Sequence, residues 1–258
     1  GEGWEKGWRQ MLMITANCAA ITERSFGVPD GVNNGQYGIG LVIDFFGLSA
    51  MASGFPTKFV YPSVTAIVPA NIGMVAGAKN VENARKFIHY TLSPEGQELL
   101  FDPKISRLPV LPRSYQKAPA GFPNPVTGKI KPKVNFDSEL SETRYYVVSS
   151  LFDHTITFRH KELTAAARAI YQAEARLGAK PNAQAQKLLA EARDLAFSPI
   201  VSEEKSKDKE FIALFRETKR SAEKTKQITG LEEYWSSTAR KNYVRAAELA
   251  NQAAAMAK

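Results

Sequence analysis

The sequence predicts an α/β amino-terminal portion followed by an α-helical carboxyl-terminal region, on three observations. Residues 4–62 alternate short helical and strand-like stretches with glycine at many of the joints, the pattern of an α/β layer. Residues 61–75, YPSVTAIVPANIGMV, are rich in β-branched side chains that favour extended backbone. From residue 141 onward, apolar residues recur three and four apart almost without a break, as in helices packed along one face. The expected organisation is an α/β piece over residues 1–60, a crossing and return segment with a helix pair over 61–135, and a helical region over 136–258.

The elements follow in order. In residues 21–46, ITERSFGVPDGVNNGQYGIGLVIDFF, Arg24 and Ser25 stand where a short helix would start. Serine is a preferred N-cap, and the free amides of a helix start attract anions. The stretch then runs through Asn33, Asn34 and Gly35 into an expected buried strand ending at Asp44. Ligands of open α/β sheets lie outside the carboxyl ends of the strands, so Asp44, Arg24 and Ser25 are expected to face one pocket. Tyr37 and Tyr61 are candidate aromatic contacts to the same ligand. Each has a plainer alternative: Asp44 as the cap of a following helix, Arg24 bridging Glu23 or Asp30, and the two tyrosines as packed side chains.

Pro62 and Pro69 restrict where a central strand could lie in residues 61–75, which read as chain entering or leaving a sheet. Asn80 caps a helix carrying Ala84, Phe87 and Ile88, and Ser93-Pro94-Glu95 opens a second, giving an αα unit over 80–101. Residues 103–133 hold seven prolines and read as a surface-wrapping loop. The expected carboxyl-terminal helices cover 142–159, 161–177, 183–196, 206–225 and 230–257.

Composition narrows the function classes. The formal net charge is +8, yet the excess of Lys and Arg is spread along the chain without a basic run, which argues against a nucleic-acid partner. The single cysteine, Cys18, forms no internal disulfide and is expected to be a small buried side chain; no Cys/His spacing suggests a metal site. The longest apolar run, residues 39–46, is broken by Gly40 and Asp44 and is far shorter than the roughly 20 residues of a membrane helix. The chain opens Gly-Glu-Gly-Trp, with no leader from which a compartment could be read. No nucleophile elbow, phosphate loop, zinc-protease helix or dinucleotide fingerprint is present, and His89, His154 and His160 lack a neighbouring nucleophile or paired carboxylate. The expectation is no enzyme, no catalytic residue and no cofactor.

Two strings carry a family resemblance: FGVPDGVNNGQYGIGLVIDFFG, and VYPSVTAIVPANIGMVAGAKNVENARKFIHYTLSPEGQELL. Their V-x-x-G-x-x-x-I-G approach, proline-containing crossover and N-x-x-x-A-x-x-F-I-x-Y-x-L-S-x-E-G-Q helix pair resemble extracellular solute-binding protein family 1, the iron-type periplasmic binding proteins. Within it, the branch serving phosphoglycerate transport and its regulation is the most similar. The resemblance implies part of a type II periplasmic-binding-protein fold, with residues 1–60 in its second lobe and 61–135 returning to the first. It also implies a preceding lobe, so that the chain is the carboxyl-terminal portion of a larger two-lobed binder, with residues 59–67 as crossover hinge. Adjacent tyrosines that ligate iron in ferric-binding relatives are replaced here by Phe45 and Phe46, which have no oxygen to donate. The resemblance thus implies a small phosphorylated or carboxylated, phosphoglycerate-like anion bound in the periplasm or cell envelope, with a membrane transporter or sensor as protein partner. The alternatives are a helical protein-interaction module carried on a binding-protein scaffold, or a ferric-iron binder.

Overall fold

In the computed structural model, which describes residues 3–127, 130, 134, 136–178, 182–216 and 221–257, the chain divides into two units. One comprises Gly1–Ile21 with Asp137–Lys258, the other Thr22–Phe136. In chain order the helices are α1 (Trp4–Ala16), α2 (Gly27–Asn33), α3 (Asp44–Ala52), α4 (Val81–Thr91), α5 (Pro94–Glu98), α6 (Ser138–Thr155), α7 (His160–Leu177), α8 (Ala183–Phe197), α9 (Lys209–Arg216) and α10 (Ala222–Ala255). Short 3₁₀ turns lie at Leu99–Phe101, Pro112–Lys117, Thr157–Arg159 and Lys205–Lys207.

The α/β expectation is overturned: among the described residues there are helices and irregular chain but no β-strand, and hence no type II periplasmic-binding-protein sheet. The expected strand ahead of Asp44 is unpaired chain, and Asp44 is the first residue of α3. The physical reason lies in the partner a strand needs. Alternating and β-branched residues favour extended backbone, but a strand exists only where another segment takes its amides and carbonyls. Among the described residues none does so here, and the apolar side chains that suggested burial face outward, Ile39 at 88% exposure and Val75 at 78%.

The helical unit needs no such partner, because helices satisfy their own backbones and then bury a stripe. On α10, 34 residues and roughly 51 Å long, that stripe is Ile228, Trp235, Ala239, Tyr243, Ala246, Leu249, Ala250 and Ala253. Its alanines let α7 and α8 approach closely, and the α7 stripe from Leu163 through Ile170 to Leu177 is buried within the same unit. Trp235 stacks on Phe215 at 5.5 Å between ring centroids. Two long-range hydrogen bonds pin the core: the Trp4 indole donates to the Val201 carbonyl at 2.7 Å, and the Tyr243 hydroxyl to that of Thr155 at 2.8 Å. Cys18 is half-buried beside α1, not enclosed.

Helix boundaries differ from expectation mainly between 206 and 230. The expected 206–225 helix is a 3₁₀ turn, then α9, then the start of α10, with residues 217–220 outside the described residues. Gly230, expected to open a helix, lies inside α10, which begins where the Ser221 hydroxyl accepts from the Lys224 amide at 3.2 Å. A capping serine fixes a start worth about 1 kcal/mol. An interior glycine costs about as much and is outweighed by the packing of a long helix.

In Thr22–Phe136, the helix pair of α4 and α5 is present with the expected caps: Asn80 accepts from the Asn83 amide and Ser93 from the Gly96 amide. Gly96 is sterically required, since a Cβ there would sit 2.0 Å from the Tyr90 carbonyl oxygen.

Candidate functional site

The chain approaching α3 is extended at Ile43 and turns helical at Asp44. One carboxylate oxygen of Asp44 accepts from the Phe45 amide at 2.8 Å, and the other from the Tyr61 hydroxyl at 3.0 Å. Two of the sequence-predicted site residues, 17 positions apart, therefore meet. Tyr61 is oriented by an edge-to-face contact with Phe59, ring centroids 4.8 Å apart. Phe59 in turn lies over Gly47, where a Cβ would come within 2.3 Å of the ring, so the missing side chain is what allows the approach.

Burial first, and then the charge and hydrogen bond of Asp44, raise the Tyr61 hydroxyl well above the ordinary phenol range. Tyr115 is pushed up to about 12, again by burial and then by Asp44; its hydroxyl donates to the Pro109 carbonyl at 2.9 Å. Both phenols are accordingly neutral hydrogen-bond donors at physiological pH.

A cation completes the arrangement. The chain turns at the buried Ser106, a non-glycine residue held at φ 47°, with its hydroxyl donating to the Pro103 carbonyl at 3.0 Å. A left-handed backbone at such a residue is strained and persists only where its surroundings enforce it. The next residue, Arg107, places its guanidinium carbon 3.7 Å from the centre of the Phe45 ring. Phe45 packs on Phe46 and Phe46 on Phe26, with centroids at 4.3 and 4.9 Å. Asp44 can accept hydrogen bonds from ligand hydroxyls, while a stacked guanidinium presents a planar fork suited to carboxylate or phosphate.

The remaining sequence candidates stand elsewhere. Arg24 and Ser25 are exposed in the bend before α2, whose N-cap is Phe26, so the Ser25 hydroxyl does not cap the helix. The Arg24 carbonyl accepts from the Gly27 amide and the Thr22 hydroxyl, both at 3.0 Å. Tyr37 is half-buried and folded back on α2: its amide donates to the Gly31 carbonyl at 2.9 Å, and its ring fills the space a Gly31 Cβ would need. Arg107 and Tyr115 were not among the candidates. Both lie in the proline-rich run, where no spacing rule marks an arginine as stacked, and the turn at Ser106 leaves no trace in residue type.

Among the described residues, no group of three or more His, Cys, Asp or Glu is placed to hold a metal, and no helix is long and apolar enough to cross a membrane.

Residues 2–128 match the bacterial extracellular solute-binding proteins. These residues, just under half of the chain, are similar to that family. It is also 32% identical, over 214 residues, to the phosphoglycerate transport regulatory protein PgtC of Salmonella typhimurium and to that of Salmonella typhi. The likeness covers 83% of this chain and 51% of each relative, so the chain spans about half the length of the curated relatives it matches. Since 214 residues exceed the stretch 2–128, the likeness continues into the helical region. No solved structure matches this chain.

Proposed function

We propose that this chain supplies part of a periplasmic or cell-envelope receptor, and not an enzyme, that binds a small phosphorylated or carboxylated anion of the phosphoglycerate kind for an uptake or sensing system. The observation that carries the reading is the Asp44–Tyr61 hydrogen bond with Arg107 stacked on the neighbouring Phe45, inside the portion that carries the family match. Asp44 takes the ligand hydroxyl and Arg107 its anionic end. The 32% identity to proteins named for phosphoglycerate transport supports that ligand class. Arg24, Ser25 and Tyr37 are proposed as outer contacts. A membrane transporter or sensor is the proposed reader of the bound state, and the ligand biases that state only by its differential affinity for it.

Ferric iron fits these residues poorly. Iron takes a phenolate, and burial beside Asp44 makes Tyr61 harder to deprotonate, while Phe45 and Phe46 offer no oxygen. The test is thermal unfolding of the full-length polypeptide against phosphoglycerates, hexose phosphates, phosphonates and ferric iron. A phosphoglycerate at 100 times its dissociation constant is expected to stabilise the fold by about 2.7 kcal/mol, and Asp44→Asn and Arg107→Gln to remove most of that effect. Stabilisation by iron with none by any organic anion defeats the proposal.

A further inference from the structure

A groove among the described residues of the helical unit is lined by none of the residues around Asp44. Its volume is about 840 Å³, and it is walled by the end of α6, the turn carrying Phe158 and Arg159, and one face of α10. Along α10 the lining runs from Glu233 to Glu248, about 22 Å of helix at 1.5 Å per residue. Its members recur three and four apart, so they share one side of the helix.

Two apolar side chains stand open in the groove, Phe158 at 59% exposure and Val244 at 46%. Around them are Arg159, Arg240, Lys241 and Arg245, against the two lining carboxylates Glu233 and Glu248. The cations differ in how far they are engaged. Arg159 donates to the Ser236 hydroxyl at 2.8 Å and lies 3.5 Å from Glu162, so it is a fixed wall. Arg240 reaches the same glutamate only at 3.9 Å, with two-thirds of its side chain exposed, and Arg245 makes a single exposed pair with Glu248 at 3.2 Å. No ion pair is recorded for Lys241 among the described residues.

We propose that this groove docks an acidic segment of a protein partner, with one or more apolar side chains seated on Phe158 and Val244 and its carboxylates on Arg240, Lys241 and Arg245. Charge complementarity selects an acidic occupant. Shape selects a polypeptide: a small anion would cover one end of a 22 Å open trough, whereas an amphipathic helix of about 15 residues matches its length and its pairing of apolar floor with cationic rim. Exposed ion pairs are individually weak, so the apolar contacts supply affinity and the charges supply orientation and partner choice. This proposal stands on the helical unit alone, whatever residues 22–136 bind.

The probe is a fluorescein-labelled, 15-residue amphipathic helix with glutamate on one face and leucine on the other, measured by anisotropy with the full chain. Two control peptides replace every glutamate by lysine, or every leucine by serine. The glutamate–leucine peptide is expected to bind, to lose about tenfold in affinity in the Arg240→Gln/Lys241→Gln/Arg245→Gln variant, and to weaken further with Phe158→Ala. Asp44→Asn is expected to leave it unchanged. The lysine peptide guards against simple adhesion to the exposed apolar residues of 22–136. Helical circular dichroism of each variant verifies folding, which exposed substitutions should preserve. The proposal is overturned by no binding, by binding indifferent to the three cations, by equal binding of the lysine peptide, or by phosphatidylglycerol vesicles competing through the same three residues, which would assign the groove to a membrane surface.

Discussion

The helical unit and the unit Thr22–Phe136 draw on similar stocks of apolar residues and use them differently. In the first, side chains such as Phe197, Ile170, Leu163 and Leu249 are wholly enclosed. In the second, the buried apolar residues among those described are few, Ala50, Tyr115 and Ile130, while Ile39, Leu41, Val60, Val64, Val68 and Val75 stand open. A helix completes its backbone hydrogen bonds locally and needs neighbours only for its stripe. An extended segment needs a second segment even to become a strand, so the same hydrophobicity stays unspent where none is supplied.

Backbone exchange is the strongest way to break this comparison. No amide of residues 62–77 donates a recorded hydrogen bond among the described residues, whereas α7 and α10 are continuous ladders. Hydrogen exchange read by mass spectrometry should find residues 63–76 exchanging near the free-chain rate and the buried face of α10 slower by about 10³-fold or more, as a fold of ordinary stability requires. Comparable protection of the two segments would mean that 62–77 has a partner after all.

Core truncation comes next. Phe197→Ala removes a fully buried ring and should cost about 3–5 kcal/mol. Ile39→Ser, at 88% exposure, should stay within about 0.5 kcal/mol. Trp4, Trp8 and Trp235 all lie in the helical unit, so guanidinium unfolding followed by tryptophan fluorescence reports the first change directly. Far-ultraviolet dichroism follows the whole chain for the second.

Legibility from sequence followed the same division. The stripes of α7 and α8 and the caps at Asn80 and Ser93 could be read because they are local: spacing and cap chemistry sit within a few residues. The α/β reading failed because residues 39–43 and 61–75 state only a backbone preference, while a sheet depends on a segment the pattern does not name. At the site, Asp44 and Tyr61 were both visible as chemistry, but their meeting was not. Arg107 and Tyr115 stayed hidden because a turn at Ser106 and the packing of a proline-rich run decide where they go.

Alkaline pH compares the units through their tyrosines. Tyr61 and Tyr115 in one and Tyr243 in the other all have raised folded-state pKa values, chiefly from burial. A phenol that resists ionisation when folded contributes its full stability below the ordinary value of 10 and loses it as pH climbs toward the folded value, about 12 for Tyr115. Both units should therefore hold steady to about pH 10 and weaken above it. Asp44→Asn should lower the pKa of Tyr61 without restoring the free value, because burial is the larger cause. Tyrosinate absorbance during a pH titration measures this, and an unchanged Tyr61 in Asp44→Asn would dissolve the link between the two residues.

The smallest expected effect separates local from global stability. Ser221 caps α10 and Asn80 caps α4 by the same device, a side-chain oxygen accepting from the amide three residues on. Replacing either by alanine leaves that amide unsatisfied and costs about 1 kcal/mol of local helix stability. The consequences should differ, since α10 carries the core stripe of its unit whereas no residue of α4 is buried. Ser221→Ala should lower the tryptophan-monitored unfolding midpoint, and Ser221→Gly should recover most of the loss. Asn80→Ala should leave that midpoint unmoved while speeding amide exchange in the first turn of α4. Equal shifts of the global transition from both substitutions would show that the two units unfold as one cooperative body, and that the exposed apolar residues of 22–136 report a surface and not a lack of partners.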